Sequence, residues 1–128
     1  MEYRQLDEKE IRQLEDNNCW AEDWQRAMVA DDFNPNAVRN VTFYGNVKLG
    51  SFDKSIEVSK TFMRRTGVYN ATLRNVTIGN NSLVENVGNY INNYVIGSDC
   101  YISNICTMET TEGATYGEGN IISVLNEV

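Results

Sequence analysis

Histidine is absent from the 128 residues, and proline occurs once, at Pro35. The first absence removes the side chain that titrates nearest neutrality, and with it the usual general base for deprotonating a hydroxyl or an amine. Carboxylates could substitute, and Glu85, Asp99, Glu109, Glu112 and Glu118 are available. With an ordinary pKa of ~4 they are weak bases unless burial raises them, so no residue is assigned as catalytic and enzymatic activity is left open. Cysteine is sparse and odd in number: Cys19, Cys100 and Cys106 contain no Cys-x-x-Cys pair, and without histidine they complete no zinc site. Neither a metal nor a cofactor is implied, and the glycines Gly113, Gly117 and Gly119 lack the Gly-Lys-Ser/Thr ending of a phosphate loop. No apolar run approaches the ~20 residues of a membrane span, and the start Met-Glu-Tyr-Arg-Gln has no secretory apolar stretch. A cytoplasmic location without a membrane partner is therefore expected. The triplets beginning at Asn40, Asn70, Asn75 and Asn80 match glycosylation acceptors, as an Asn-rich and Thr-rich chain does by chance.

Basic residues are missing altogether after Arg74. Residues 1–35 carry ten acids and four bases, residues 36–74 two acids and seven bases, and residues 75–128 six acids and no base. The middle third is thus basic within a chain of net charge −7. Arg64, Arg65 and Arg74 are its candidates for holding phosphate or the diphosphate of a nucleotide sugar, with the adjacent pair foremost. The plainer reading, complementarity between acidic and basic surfaces within or between protomers, is preferred. Long polyanions would be repelled by the acidic flanks, which argues against nucleic acid.

What is abundant is a period. Ile78, Val84, Tyr90, Ile96, Ile102 and Met108 stand six residues apart. A step of six would scatter side chains around an α-helix but keeps them on one side of an extended chain. Two places earlier in each hexad stand Val76, Ser82, Gly88, Tyr94, Cys100 and Cys106, mostly small, predicted to share the interior as reduced core residues where they are cysteines. Asn80, Asn81, Asn86, Asn92, Asn93, Asp99 and Asn104 fill the positions between and predict corners, because Asn and Asp tolerate left-handed backbone. Upstream, Val41/Phe43, Val47/Leu49, Ile56/Val58, Thr66/Val68 and Ala71/Leu73 continue the inward pairs, with 50–54 and 60–65 as bulges. Short strands, polar corners and a fixed short period predict a parallel β-helix over residues 36–128, of about five coils.

Residues 1–35 are of another kind, predicted to form a helical N-terminal cap. Asp7 and Glu10 spell a capping box, with Leu6 and Ile11 placed as its staple, so a helix is expected from Glu8 to Asn17 or Asn18. Trp20, Trp24 and Met28, at four-residue spacing, predict a second helix that covers the first coil, with an aromatic platform for a sugar as the rival reading.

The pairs Ile78-Gly79 and Ile96-Gly97 resemble the opening of the hexapeptide-repeat superfamily, left-handed β-helical acyltransferases and nucleotide-sugar enzymes. The runs from Asn70 to Val76, Gly88 to Tyr90 and Met108 to Gly113 look like the N-terminal region of a longer, uncharacterised bacterial family of that kind. The resemblance implies a left-handed coil, self-association with a trimer favoured, and an N-terminal piece of a larger protein. A non-catalytic folding and oligomerisation platform is the first expectation. A transferase component with a nucleotide-sugar or acyl-donor site between subunits is the second, and a carbohydrate-binding module the third. Glu109, Thr110, Thr111 and Glu112 break the apolar pattern and are expected to form a corner insertion, with a sugar-binding loop as the alternative. Beyond Met108 the pattern weakens to Ala114, Ile121, Ile122, Val124 and Leu125, an apolar end expected to be covered by further chain or another copy. Leu83 and Tyr101, eighteen apart, are expected to stack on an outer face.

Overall fold

The capping box forms as spelled: the Glu10 backbone N–H donates to Asp7 Oδ1 at 2.8 Å, and the Asp7 N–H to Glu10 Oε1 at 3.0 Å. Helix α1 follows over Glu8–Asp16. The computed structural model describes residues 2–116 and 121–123, with side chains described as far as Thr110 except that of Ser59. Around α1 lie the short strands β1 (Arg4–Gln5), β2 (Trp20–Ala21) and β3 (Ala27–Val29), and 3-10 turns at Trp24–Arg26 and Pro35–Ala37. Long strands follow: β4 (Val38–Leu49), β7 (Gly67–Ile78), β8 (Leu83–Ile96) and β9 (Tyr101–Tyr116). The hairpin β5 (Ser55–Ser59) and β6 (Phe62–Arg65) intervenes between β4 and β7, and β10 spans Ile121–Ser123.

The main sheet runs β1-β3-β4-β7-β8-β9-β10, with β2 also on β4. All its pairs are parallel except β1 on β3, and β5–β6 is a separate antiparallel pair. The expected left-handed β-helix with an α-helical cap is therefore corrected: among the described residues the sheet is mixed and open, neither closed nor a solenoid. Two causes are visible. Residues 55–65 fold on themselves as a hairpin instead of continuing the repeat, so Ile56 and Val58 leave the main sheet. Residues 20–21 and 27–29 join the sheet as strands, with alternate Ala27 and Val29 buried, instead of forming the second helix. Trp20 lies on β2 and Trp24 in a 3-10 turn, so their four-residue spacing was coincidental. The 35/36 boundary falls in the Pro35–Ala37 turn, and both sides share one sheet.

Much of the pattern nevertheless has the side-chain directions the period demands. Val41, Phe43, Val47, Leu49, Val68, Leu73, Ile78, Val84, Ile96 and Ile102 are buried in one core. Leu83 pairs with Tyr101 and Val84 with Ile102 in register. Asn40, Asn70, Asn75, Asn81, Asn86, Asn93, Asp99 and Asn104 all have φ between 54° and 63°. Their amides stack: Asn18 donates to Asn40, Asn40 to Asn70, Asn70 to Asn86 and Asn86 to Asn104, at 2.8 to 3.3 Å.

The strict six-residue step fails around Gly88. The register slips between Val87 and Tyr90, so Ile91 is fully buried and Tyr90 is pushed outward. Gly88 and Cys106 are exposed for the same reason, and Ile105 takes the interior place expected of Cys106. Leu83, expected on an outer face, is fully buried, while Tyr101 stays half-exposed. Cys100 and Cys19 are buried, and burial pushes the Cys19 thiol above its ordinary pKa.

Candidate functional site

The phosphate candidates do not gather. Arg64, on β6, makes an ion pair of 3.0 Å with Glu85 of β8, whose side chain is 9% exposed. Glu85 Oε2 also accepts the Tyr101 hydroxyl at 3.2 Å and the Ser103 hydroxyl at 3.3 Å. The guanidinium lies 5.0 Å from the centroid of the Tyr69 ring. Burial raises the Tyr69 pKa, opposed by the neighbouring Arg64 and Arg65 charges. Arg64 is thus neutralised by an internal carboxylate, a poor state for holding phosphate. Arg65, one place along β6, is exposed.

Arg74 stands elsewhere, on β7, and meets Glu109 of β9 in one open cleft. Register lays Tyr44 beside Arg74, Arg74 beside Asn92, and Asn92 beside Glu109, on four successive strands. The cleft, of about 320 Å³, is lined by Tyr44, Thr72, Arg74, Tyr90, Asn92 and Glu109. Its polar groups form a connected run. Arg74 Nη1 donates to Asn92 Oδ1 at 3.2 Å, and Asn92 Nδ2 donates to Glu109 Oε1 at 3.2 Å. The Tyr90 hydroxyl donates to the same oxygen at 3.1 Å. This bond to a carboxylate raises the Tyr90 pKa above that of an ordinary phenol, assisted by the carboxylate charge.

Of the other expected loop residues, Thr110 accepts a 2.7 Å bond at its carbonyl from Asn93 Nδ2. The side chains of Thr111 and Glu112 lie outside the described residues. The backbone here belongs to β9, and its register against β8 jumps from Asn92/Glu109 to Tyr94/Ala114, so an insertion is accommodated as a bulge within the strand. The apolar end at Ala114, Ile121, Ile122, Val124 and Leu125 also lies outside the described side chains.

The tryptophans separate. Trp20 is 54% exposed and meets Tyr44 edge-on at 5.7 Å between centroids, while Trp24 packs against buried Phe43 at 5.6 Å. Sequence reasoning missed Tyr44, Tyr90 and Asn92 as cleft residues, and Glu85 as the partner of Arg64. Their spacings acquire meaning only once the strand register is known. No cluster of His, Cys, Asp or Glu able to hold a metal occurs among the described residues, and no helix there is long and apolar enough to cross a membrane.

An uncharacterised protein of Treponema pallidum (strain Nichols) is 30% identical to the chain over 119 residues. That match covers 93% of the chain but 16% of the relative, so the chain spans about a sixth of its length. No solved structure matches significantly. The model of a domain of unknown function, DUF4954, matches residues 3–128, and the chain belongs to that family.

Proposed function

We propose that the chain is a non-catalytic scaffold segment that supports folding and self-association, within a longer protein where it occurs as part of one. The observation that carries this reading is the asparagine row Asn18-Asn40-Asn70-Asn86-Asn104. Each amide donates to the next strand's amide, so the strands are locked in register by a repeating bond rather than arranged around a single pocket. Parallel strands stacked in this way present regular faces and backbone edges that suit association with further chain or another copy. The small share of the Treponema relative that the chain covers supports a part played within a larger protein. A trimer is the favoured assembly.

Sedimentation velocity across a concentration series tests the proposal. The expected result is a species heavier than the 14.6 kDa protomer. A monomer at every concentration would remove self-association from the reading. Thermal stabilisation by coenzyme A or a nucleotide sugar, lost on Arg65→Ala, would instead favour the transferase component.

A further inference from the structure

The Arg74–Glu109 cleft goes beyond a scaffold role: we infer that it binds an uncharged polyhydroxylated ligand, a mono- or disaccharide, on the outer face of β4, β7, β8 and β9. Its polar groups are of the kind that read hydroxyls. Arg74 uses one of its five guanidinium N–H groups on Asn92 and retains the others. Glu109 spends Oε1 on Asn92 and Tyr90, which leaves Oε2 for an incoming hydroxyl. Thr72 adds a group that both donates and accepts. Tyr44 supplies an apolar wall for the C–H face of a sugar ring, and Trp20 packs against it edge-on.

Charge selects among ligands. One guanidinium and one carboxylate line the cleft, so it is electrically balanced. A pyrophosphate drawn to Arg74 would meet the Glu109 carboxylate, and a cation drawn to Glu109 would meet Arg74. A neutral polyol suffers neither repulsion. The volume of about 320 Å³ is at the lower end of small-molecule sites, which suits one or two sugar rings.

The backbone irregularities point to the same place. The slip between Val87 and Tyr90 turns Tyr90 out of the core toward Glu109, and the insertion between Glu109 and Ala114 adjoins it. Bulges of this kind re-aim side chains and concentrate next to sites. The resulting hydrogen-bonded run is solvent-accessible: Arg74 and Glu109 are exposed and the Tyr90 hydroxyl faces the cleft. Ordering these side chains at a surface costs conformational entropy that core packing does not offset.

Saturation-transfer NMR with N-acetylglucosamine, galactose, maltose and cellobiose, each at about 10 mM to reach millimolar Kd values, tests the inference, with pyrophosphate, read by phosphorus NMR line broadening on titration with the protein, as the anionic control. At least one sugar is expected to receive saturation, with its Kd weakened about tenfold by Glu109→Gln and by Arg74→Met. Both substituted side chains are exposed, so unchanged melting temperatures are expected and would separate lost binding from lost folding. Absence of transfer to all four sugars would overturn the proposal. So would sugar binding unaffected by either substitution, or tighter binding of pyrophosphate than of any sugar. The oligomeric state is measured separately, so failure here leaves the scaffold reading standing or falling on its own result.

Discussion

Asn86 holds φ at 56°, where an L residue with a branched Cβ crowds its own carbonyl. Asparagine tolerates the conformation, and here its amide also joins the row between Asn70 and Asn104. Glycine adopts it without a Cβ, whereas valine must be forced into it. Urea denaturation should therefore find Asn86→Val destabilised by about 1–2 kcal/mol. Asn86→Gly, which loses the two amide bonds at an exposed corner but adds no Cβ strain, should cost about 0.5–1 kcal/mol, less than the valine variant. Equal losses in both variants would show that the amide row, not the backbone, is what matters. Gly67 is a stricter case: its φ of 147° is open only to glycine, and a Cβ there would collide with the Ala37 carbonyl. Gly67→Ala should cost at least about 3 kcal/mol or leave no folded protein, measured by circular dichroism and urea titration. At this scale the sequence was legible. Asn and Asp recurring between apolar pairs announced left-handed corners, and five of the seven residues so identified adopt them. Asn80 and Asn92 do not; each precedes a corner residue, Asn81 and Asn93, that does.

The hairpin β5–β6 is tied to the sheet at Arg64, through Glu85 and the Tyr69 ring, and at the Arg65 carbonyl, which accepts from the Tyr69 hydroxyl at 3.3 Å. Its outer residues include Phe62 and Met63, 53% and 57% exposed, so little apolar burial holds it there. Replacing Arg64 by methionine would leave Glu85 buried with only the Tyr101 and Ser103 hydroxyls as partners. Because Arg64 is itself partly exposed, the expected cost is about 1–3 kcal/mol rather than the larger penalty of a fully buried pair. Local opening should follow, read as trypsin cleavage after Lys60 accelerated about tenfold in Arg64→Met. Adding Glu85→Gln removes the unpaired charge and should restore part of the protection. Unchanged cleavage in Arg64→Met would mean that the hairpin is held by something other than this pair. Elements were less legible than residues, for a physical reason. Ile56 and Val58 suit either a continued repeat or a hairpin, and only the antiparallel pairing of β5 with β6 shows which one forms. The slip at Gly88 was equally hidden. Tyr90 and Ile91 are adjacent apolar residues, and only the register against Ile105 and Thr107 decides which one enters the core.

For the whole molecule, one arginine ties together three parts of the acidic N-terminal segment. Arg4, on β1, forms paired bonds of 2.8 Å to both oxygens of Glu10 on α1, and also reaches the Asp31 carbonyl at 3.0 Å. The Arg4 bonds hold the Glu10 pKa below the ordinary carboxylate range, against the opposing effect of burial, and the Asp7 N–H assists. A carboxyl group whose pKa is lowered by folding contributes stability that is fully present above the unfolded value, ~4.3, and is lost as pH falls through the folded value. The urea midpoint should therefore be steady above about pH 6 and decline from about pH 5 toward pH 3. Glutamine at position 10 can still bond the Asp7 N–H in a capping box but carries no charge for Arg4. Glu10→Gln should thus be less stable than the parent at pH 7, and the two midpoints should converge below the folded pKa of Glu10. Two parallel curves, separated equally at pH 7 and pH 3, would mean that Glu10 acts through shape and capping alone. Convergence would show that acid loosens β1 from α1 through loss of the one carboxylate charge that Arg4 holds in paired bonds.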